Sequence, residues 1–216
     1  MKLWQHLLQL LFPDFCLNCQ RLGPLLCEHC HHGIEFYFKQ PALNNLERVY
    51  LDELQIMAKF QPPLSILIKA LKYKHARNVA PMLAQLLYQH CQIAKADYLN
   101  FVPIHKMRLR QRYYNQCQEI AKELSLLTSI PVIEALSRQR NQKAQAKISN
   151  QALRLTRLQN TFVIRDDKTR ALVEGKKLIL IDDVLTTGTT LNENAKILKQ
   201  AGAAWVGGLI IASKKS

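Results

Sequence analysis

Residues 177–190, Lys-Leu-Ile-Leu-Ile-Asp-Asp-Val-Leu-Thr-Thr-Gly-Thr-Thr, leave few folds open. Residues 178–181 form an unbroken apolar run, the pattern of a strand buried on both faces of a parallel sheet. Asp182 and Asp183 follow at its carboxyl end, and Thr186, Thr187, Gly188, Thr189 and Thr190 make a hydroxyl-rich turn with a helical pattern behind it. In open α/β sheets, ligands bind outside the carboxyl ends of strands. A turn that opens a helix there offers free N–H groups and the positive end of the helix dipole, both of which attract phosphate. Gly188 lets the backbone approach an anion closely. Two carboxylates would repel the phosphate itself, so their natural partners are sugar hydroxyls or a cation carried by the ligand. The stretch reads as a sugar-phosphate site. The alternative is a buried strand followed by an N-capped helix with no ligand.

The segment resembles the phosphoribosyl pyrophosphate signature of type I phosphoribosyltransferases, an apolar strand, an acidic pair and a Thr/Gly loop. The resemblance implies that Asp182 and Asp183 hold the ribose hydroxyls and that Thr186 to Thr190, through Gly188, hold the 5′-phosphate. It also implies Mg²⁺ accompanying the pyrophosphate.

Charge narrows the partners. Thirty Lys and Arg oppose sixteen Asp and Glu, a formal charge of +14 in 216 residues, which points to polyanions and foremost to nucleic acid. The charge is segregated: no acid lies between Leu54 and Ala96, or between Arg138 and Asn160. No apolar run is long enough to span a membrane, and the run at 3–12 has no cleavage site behind it, so a cytoplasmic chain is expected.

The N-terminal forty residues read as a separate module. Leu3, Leu7, Leu8, Leu10 and Leu11 give residues 2–12 a helical apolar face that Pro13 ends. Cys16-Leu-Asn-Cys19 and Cys27-Glu-His-Cys30 then form two C-x-x-C knuckles, a spacing that wraps four thiolates around one structural Zn²⁺. Disulfide or redox use of these pairs is the alternative. Cys91 and Cys117 are isolated and read as buried thiols.

The remainder, 41–216, reads as one α/β domain. Residues 49–51 and 55–60 suggest strands of a small cap, and Pro62-Pro63 opens a helix marked by Leu64, Leu67, Ile68 and Leu71. That helix runs into Lys69, Lys72, Tyr73, Lys74, His75 and Arg77, either a basic rim with an aromatic platform or a solvated helix end. Residues 79–91 suggest a helix and 98–102 a strand. A cationic loop with His105, Lys106, Arg108, Arg110 and Arg112 follows that strand, placed to neutralise a second phosphate group. Tyr113 and Tyr114 can stack on bases or pack. A helix is expected over 115–127, short strands at 131–133 and 161–164, a basic loop over about 137–148 carrying Arg138 and Arg140, and a short helix from 148. Residues 166–175 read as a turn, and 204–212 as the final strand.

Taken together, the order of motifs resembles the ComF (ComFC) family of bacterial competence proteins, with GntX-like relatives. The residues that carry it are Cys16, Cys19, Cys27 and Cys30, Lys72-Tyr73, Val102-Pro103-Ile104-His105 with Arg108, Arg110, Arg112, Asn115 and Gln116, then Arg138, Arg140 and Gln145, and the acidic-pair loop. His75, Tyr113-Tyr114 and Gln142 depart from the family pattern, which has Gly, Gly-Phe and Thr there. The resemblance implies a type I phosphoribosyltransferase-like parallel sheet with a small cap and an N-terminal zinc knuckle. It implies a cytoplasmic role in natural transformation, with binding of single-stranded DNA and phosphoribosyl pyrophosphate and cooperation with a translocating helicase. Lys72, Tyr73, Lys74, Tyr113 and Tyr114 are the DNA-contact candidates. A phosphoribosyltransferase acting on an unknown acceptor is the alternative.

Overall fold

The computed structural model describes residues 15–37, 48–93, 95–139 and 162–214. Four parallel strands form the central sheet in the order β1 (Glu53–Lys59), β6 (Trp205–Ser213), β5 (Lys177–Leu185), β2 (Tyr98–Phe101). β5 and β6 lie inside the sheet, and their consecutive buried apolar residues reflect cover on both faces.

On one face, Ile179 and Ile181 of β5 and Leu99 of β2 share a core with three helices, α2 (Leu64–Tyr73), α3 (Val79–His90) and α5 (Gln116–Thr128). On the other face, Leu178 and Leu180 pack with Leu191, Ala195 and Leu198 of α7 (Thr189–Gln200). Each fully buried Leu or Ile in these layers contributes roughly 1.5–3 kcal/mol. The layered arrangement brings the carboxyl ends of all four strands to one edge, and the candidate site lies along that edge.

Several elements differ from the sequence reading. Residues 55–60 do not build a cap: β1 pairs in parallel with β6, from Glu53 opposite Gly207 to Lys59 opposite Ser213. Its run of Ile56, Met57 and Ala58 is buried because helices cover it on one side and the α7 layer on the other. Residues 49–51 form no strand; the Tyr50 N–H donates instead to the Asn192 side chain. The cationic loop after β2 holds a short helix, α4 (Lys106–Arg112). The expected strand at 131–133 is a single bridge between Val132 and Leu99. Residues 166–175 are not a plain turn, since Asp166 accepts a hydrogen bond from the Thr169 N–H at 2.8 Å and starts α6 (Asp167–Val173).

The basic loop begins as structure: β3 (Leu136–Arg138) pairs antiparallel with β4 (Phe162–Ile164). The rest of that loop, including Arg140 and the helix expected from 148, lies outside the described residues, as does the helix expected over 2–12.

The cysteine module, with α1 (Glu28–His32), is joined to the main layer. Phe36 bridges Ala58, and Cys16, Leu26, Cys30 and Ile34 belong to the same core as α2 and α3.

Candidate ligand cavity and metal centre

A cavity of about 500 Å³ opens at the carboxyl edge of the sheet. β5 delivers Asp182 and Asp183 to it, and the following turn delivers Thr186 and Thr190. Gly188 adopts φ +85°, a left-handed conformation that side chains resist, and it caps α7 without a side chain of its own. Gly188 supplies no side-chain cap, so the first-turn N–H groups of α7 face the solvent side, apart from that of Thr189, which donates to Thr187 Oγ1 at 3.4 Å. Thr187 and Thr189 hydroxyls lie 3.0 Å apart and brace the turn.

The two acids have different surroundings. Asp183 is buried; one oxygen accepts from Lys72 Nζ at 2.8 Å and the other from Gln116 Nε2 at 2.7 Å. Gln116 Oε1 in turn accepts from Arg112 Nη1 at 2.9 Å, so a polar chain runs from α2 through β5 and α5 to α4. Asn115 fixes where α5 starts: it caps the Cys117 N–H at 3.0 Å and donates to the Val102 carbonyl at 2.9 Å. That cap aims Gln116 and Cys117 at the acidic pair. Asp182 accepts from the Asp183 N–H at 2.9 Å and lies 3.5 Å from Cys117 Sγ. Burial, then the neighbouring Asp183 charge, pushes the Asp182 carboxyl up to about 7. Burial, followed by the two carboxylates, also pushes the Cys117 thiol well above its ordinary value.

The walls are cationic. Lys69, Lys72, Arg108, Arg112, Arg138 and Lys214 line the cavity against the two aspartates. An excess of four positive charges in a concave site selects an anion with several charges. Arg138 stands 5.3 Å from the Phe162 ring centroid, and its Nε is buried without a hydrogen-bond partner. Burial first, then Arg108, lowers its pKa from the ordinary range.

Among the sequence candidates, the cavity thus collects Lys72, Tyr73, Arg108, Arg112, Arg138, Asp182, Asp183, Thr186 and Thr190. It does not collect His105, Lys106, Lys74, Arg110, Tyr113, Tyr114, Thr187, Gly188 or Thr189. His105 instead caps α4, accepting from the Met107 N–H at 3.3 Å. Lys106 and Arg110 are exposed on α4. Tyr73 and Tyr113 are 67% and 78% exposed, so each keeps open ring surface although Arg112 lies over one face of Tyr73 and His75 is tilted against Tyr113 at 5.6 Å. Tyr114 is corrected: it is buried, its hydroxyl donates to the Leu71 carbonyl, and its ring takes the Arg77 guanidinium at 4.4 Å, so it is no DNA platform. The loop after α2 is clasped to the end of α4. His75 at φ +54° sets its Nδ1 3.3 Å from the Arg112 carbonyl, and Arg112 lies 5.0 Å from the Tyr73 ring centroid.

Sequence reasoning gave no role to Phe60, Ile68, Gln111 or Lys214 in the cavity, and it read Cys117 as an isolated thiol. Phe60 and Lys214 each follow a parallel strand at its carboxyl end, the same signal that located Asp182. Phe60 was missed because its strand was assigned to a cap.

In the cysteine module, the ligand atoms of Cys16, Cys19, Cys27 and Cys30 all lie within 4.8 Å of one another. Cys19 Sγ and Cys27 Sγ are 3.6 Å apart, near the roughly 3.8 Å edge of a tetrahedron with zinc–sulfur bonds of about 2.3 Å. All four are free thiols. Asn18 Nδ2 donates to Cys30 Sγ at 3.1 Å. At Cys16, burial would raise the thiol, yet backbone N–H groups, chiefly those of Cys19 and Cys27, outweigh it and bring the group to about 6. Four convergent sulfurs with N–H support suit a closed structural ion. No helix among the described residues is long and apolar enough to cross a membrane.

Known proteins agree with this architecture. Residues 116–216 match the phosphoribosyl transferase domain family. The chain is 28% identical over 197 residues to competence protein F of Haemophilus influenzae, covering 87% of this chain and 85% of that one. It is 32% identical over 164 residues to the DNA utilization protein YhgH of Escherichia coli O157:H7, covering 71% and 68%. Among solved structures, the glutamine phosphoribosylpyrophosphate amidotransferase of B. subtilis superposes with a TM-score of 0.42 at 25% identity, over 64% of this chain and 26% of that one. This chain therefore spans about a quarter of that enzyme's length. The parallel sheet with its acidic-pair loop is a type I phosphoribosyltransferase fold, and with relatives matching across most of its length the chain belongs to the ComF family.

Proposed function

We propose that the cavity binds phosphoribosyl pyrophosphate with Mg²⁺, and that the cationic rim beside it binds single-stranded DNA. The observation that carries the first half is the clustering of six cations around Asp182 and Asp183, directly before the Thr186–Thr190 turn. In this reading the α7 N-terminus takes the 5′-phosphate, Asp182 and Asp183 take the ribose hydroxyls, and Arg108, Arg112 and Arg138 face the pyrophosphate. Asp183 already serves Lys72 and Gln116, so Asp182 is the acid more open to a ligand. Mg²⁺ on the ligand would neutralise part of its charge.

The DNA half rests on exposed Tyr73 and Tyr113, which offer stacking faces, and on Lys74, Arg77, Lys106 and Arg110 around them, which offer phosphate contacts. The names of the relatives, a competence protein and DNA utilization proteins, support the same assignment. The protein then acts in the cytoplasm on incoming single strands, alongside a translocating helicase, with Zn²⁺ holding the four-cysteine module.

Calorimetric titration with phosphoribosyl pyrophosphate and filter binding of labelled single strands test both halves. Affinity for DNA should fall steeply between 50 and 200 mM salt, by about 10³-fold for six phosphate contacts. Lys106→Ala with Arg110→Ala should weaken it, and these exposed positions outside the cavity are better choices than buried Arg112. Salt-insensitive binding would refute the DNA assignment, and unchanged sugar-phosphate binding in Asp182→Asn would refute the ligand assignment. The second reading, transfer of the phosphoribosyl group, draws on the arginines as stabilisers of departing pyrophosphate.

A further inference from the structure

A second concave surface lies on the α7 side of the sheet, away from the acidic pair. It is a cavity of about 360 Å³ between residues 48–52 and the last turn of α7, where Lys199 and Gln200 line it. Thr189 opens α7 and Gln200 ends it, so roughly 16 Å of helix separates this cavity from the Thr turn. The wall formed by residues 48–52 is pinned at both ends. Asn192, buried in α7, donates to the Arg48 carbonyl at 2.8 Å and accepts from the Tyr50 N–H at 2.7 Å. The Asp52 N–H donates to the Val206 carbonyl at 2.9 Å, and its carboxylate accepts from the Val206 N–H at 2.7 Å. Tyr50 and Leu51 are half-buried against the α7 core, whereas Val49 is 45% exposed. The charges are unevenly matched. Asp52 neutralises Lys199 at 2.6 Å. The cations of Arg48 and Lys196 stand over the Tyr50 ring, 5.0 and 5.8 Å from its centroid. Neither has a carboxylate within ion-pair distance among the described residues.

We propose that this cavity docks an acidic peptide segment of a partner protein, with one bulky apolar side chain set against Val49, Tyr50 and Leu51 and flanking carboxylates on Arg48 and Lys196. Its volume sits at the low end of the ~300–1,000 Å³ range of pockets that enclose small ligands, which suits an anchor side chain and not a folded domain. Val49 and Leu51 give that side chain an apolar floor. The two cations now rest against a π system, and a carboxylate offers each of them a full charge instead, so a weak partner is exchanged for a strong one. A wall already pinned by Asn192 and Val206 gives up little freedom on binding. The partner's acidity also complements a chain of formal charge +14, which favours encounter. A nucleic-acid strand fits this surface less well. Tyr50 is half-buried and shares its ring surface with two cations, so it is a poor platform for a base. Exposed Val49 offers nothing to a phosphate backbone.

Fluorescence anisotropy of labelled peptides with the full-length protein at physiological salt tests the proposal. The probe is Asp-Glu-Asp-Leu-Phe; Asp-Glu-Asp-Ser-Ser lacks the apolar anchor, and Asn-Gln-Asn-Leu-Phe lacks most of the charge. The probe should bind at least about tenfold more tightly than either control. Arg48→Gln with Lys196→Gln should erase its advantage over the uncharged control, and Val49→Ser should shrink its advantage over the anchorless one. Lys95→Gln with Lys122→Gln removes as much exposed charge elsewhere and should change neither. Equal binding of all three peptides, or equal losses in the two double variants, would overturn the docking site in favour of bulk attraction to a basic protein. Absence of peptide binding would overturn it as well. So would an oligothymidylate strand that binds in place of the probe and is released by Arg48→Gln with Lys196→Gln, since the surface would then belong to nucleic acid.

Discussion

Lys72 Nζ sits 2.8 Å from Asp183 Oδ1, an ion pair that ties the end of α2 to the end of β5 across 111 residues of chain. Both side chains are largely out of solvent, at 17% and 6% exposure, so neither charge has water to fall back on. Lys72→Met leaves Asp183 with Gln116 as its remaining hydrogen-bond donor. The substitution should destabilise the fold by roughly 2–3 kcal/mol. Urea unfolding of the two proteins checks this, and superimposable curves would show that the pair has no structural weight.

Asp182 responds to pH in the opposite sense from a paired carboxylate. Its folded-state pKa is pushed up to about 7, against about 3.9 for an unfolded aspartate. Between those values the folded state binds the extra proton, so stability falls as pH rises from about 4 to about 7. The complete shift corresponds to a ceiling of about 4 kcal/mol. Asn cannot ionise, and its amide oxygen can still accept from the Asp183 N–H. Asp182→Asn should therefore be more stable than the parent at pH 8, with the advantage vanishing near pH 4. Equal stability differences at both pH values would contradict a half-buried, reluctantly ionised Asp182.

The acidic pair and its loop were legible because strand, acids and glycine turn are contiguous, so local chemistry alone determines their relation. The four cysteines were legible for the same reason, each knuckle being a short-range pattern. What the sequence did not yield depends on contacts between distant segments. Residues 55–60 look alike whether the strand joins a cap or the main sheet, and their pairing with β6 is a contact across about 150 residues. Phe60 inherited that ambiguity. Tyr114 and Tyr113 are chemically identical neighbours; α4 ends at Tyr113 in a left-handed conformation, which turns one ring outward and the other into the core. Gln116 gained its role only once its helix cap and Asp183 were both in place.

Gly188 should tolerate no side chain. At φ +85° a Cβ is strained by about 1–2 kcal/mol, and relief requires the Thr turn to move away from the α7 N-terminus. Gly188→Ala is expected to lose that much stability and to lower phosphoribosyl pyrophosphate affinity at least tenfold. The second loss should exceed anything seen with Thr187→Ala, which removes one hydroxyl brace and keeps the turn. Unaltered affinity in Gly188→Ala would place the 5′-phosphate elsewhere.

Metal removal should be felt far from the cysteines. Cys16, Cys30 and Ile34 are buried in the same core as Leu64, Leu67 and Leu83, and Phe36 stacks on His90 of α3 with ring centroids 3.7 Å apart. Releasing an ion from Cys16, Cys19, Cys27 and Cys30 frees four thiolates to repel one another beside that core. Elemental analysis of purified protein should find about one zinc per chain. Stripping it with a strong chelator should lower the melting temperature of the whole domain by at least about 5 °C, in a single transition. Cys27→Ser, at a half-buried ligand, should reproduce part of the loss without a chelator. A metal-free protein that melts at the same temperature as the purified one would show that the module is held by its apolar contacts alone.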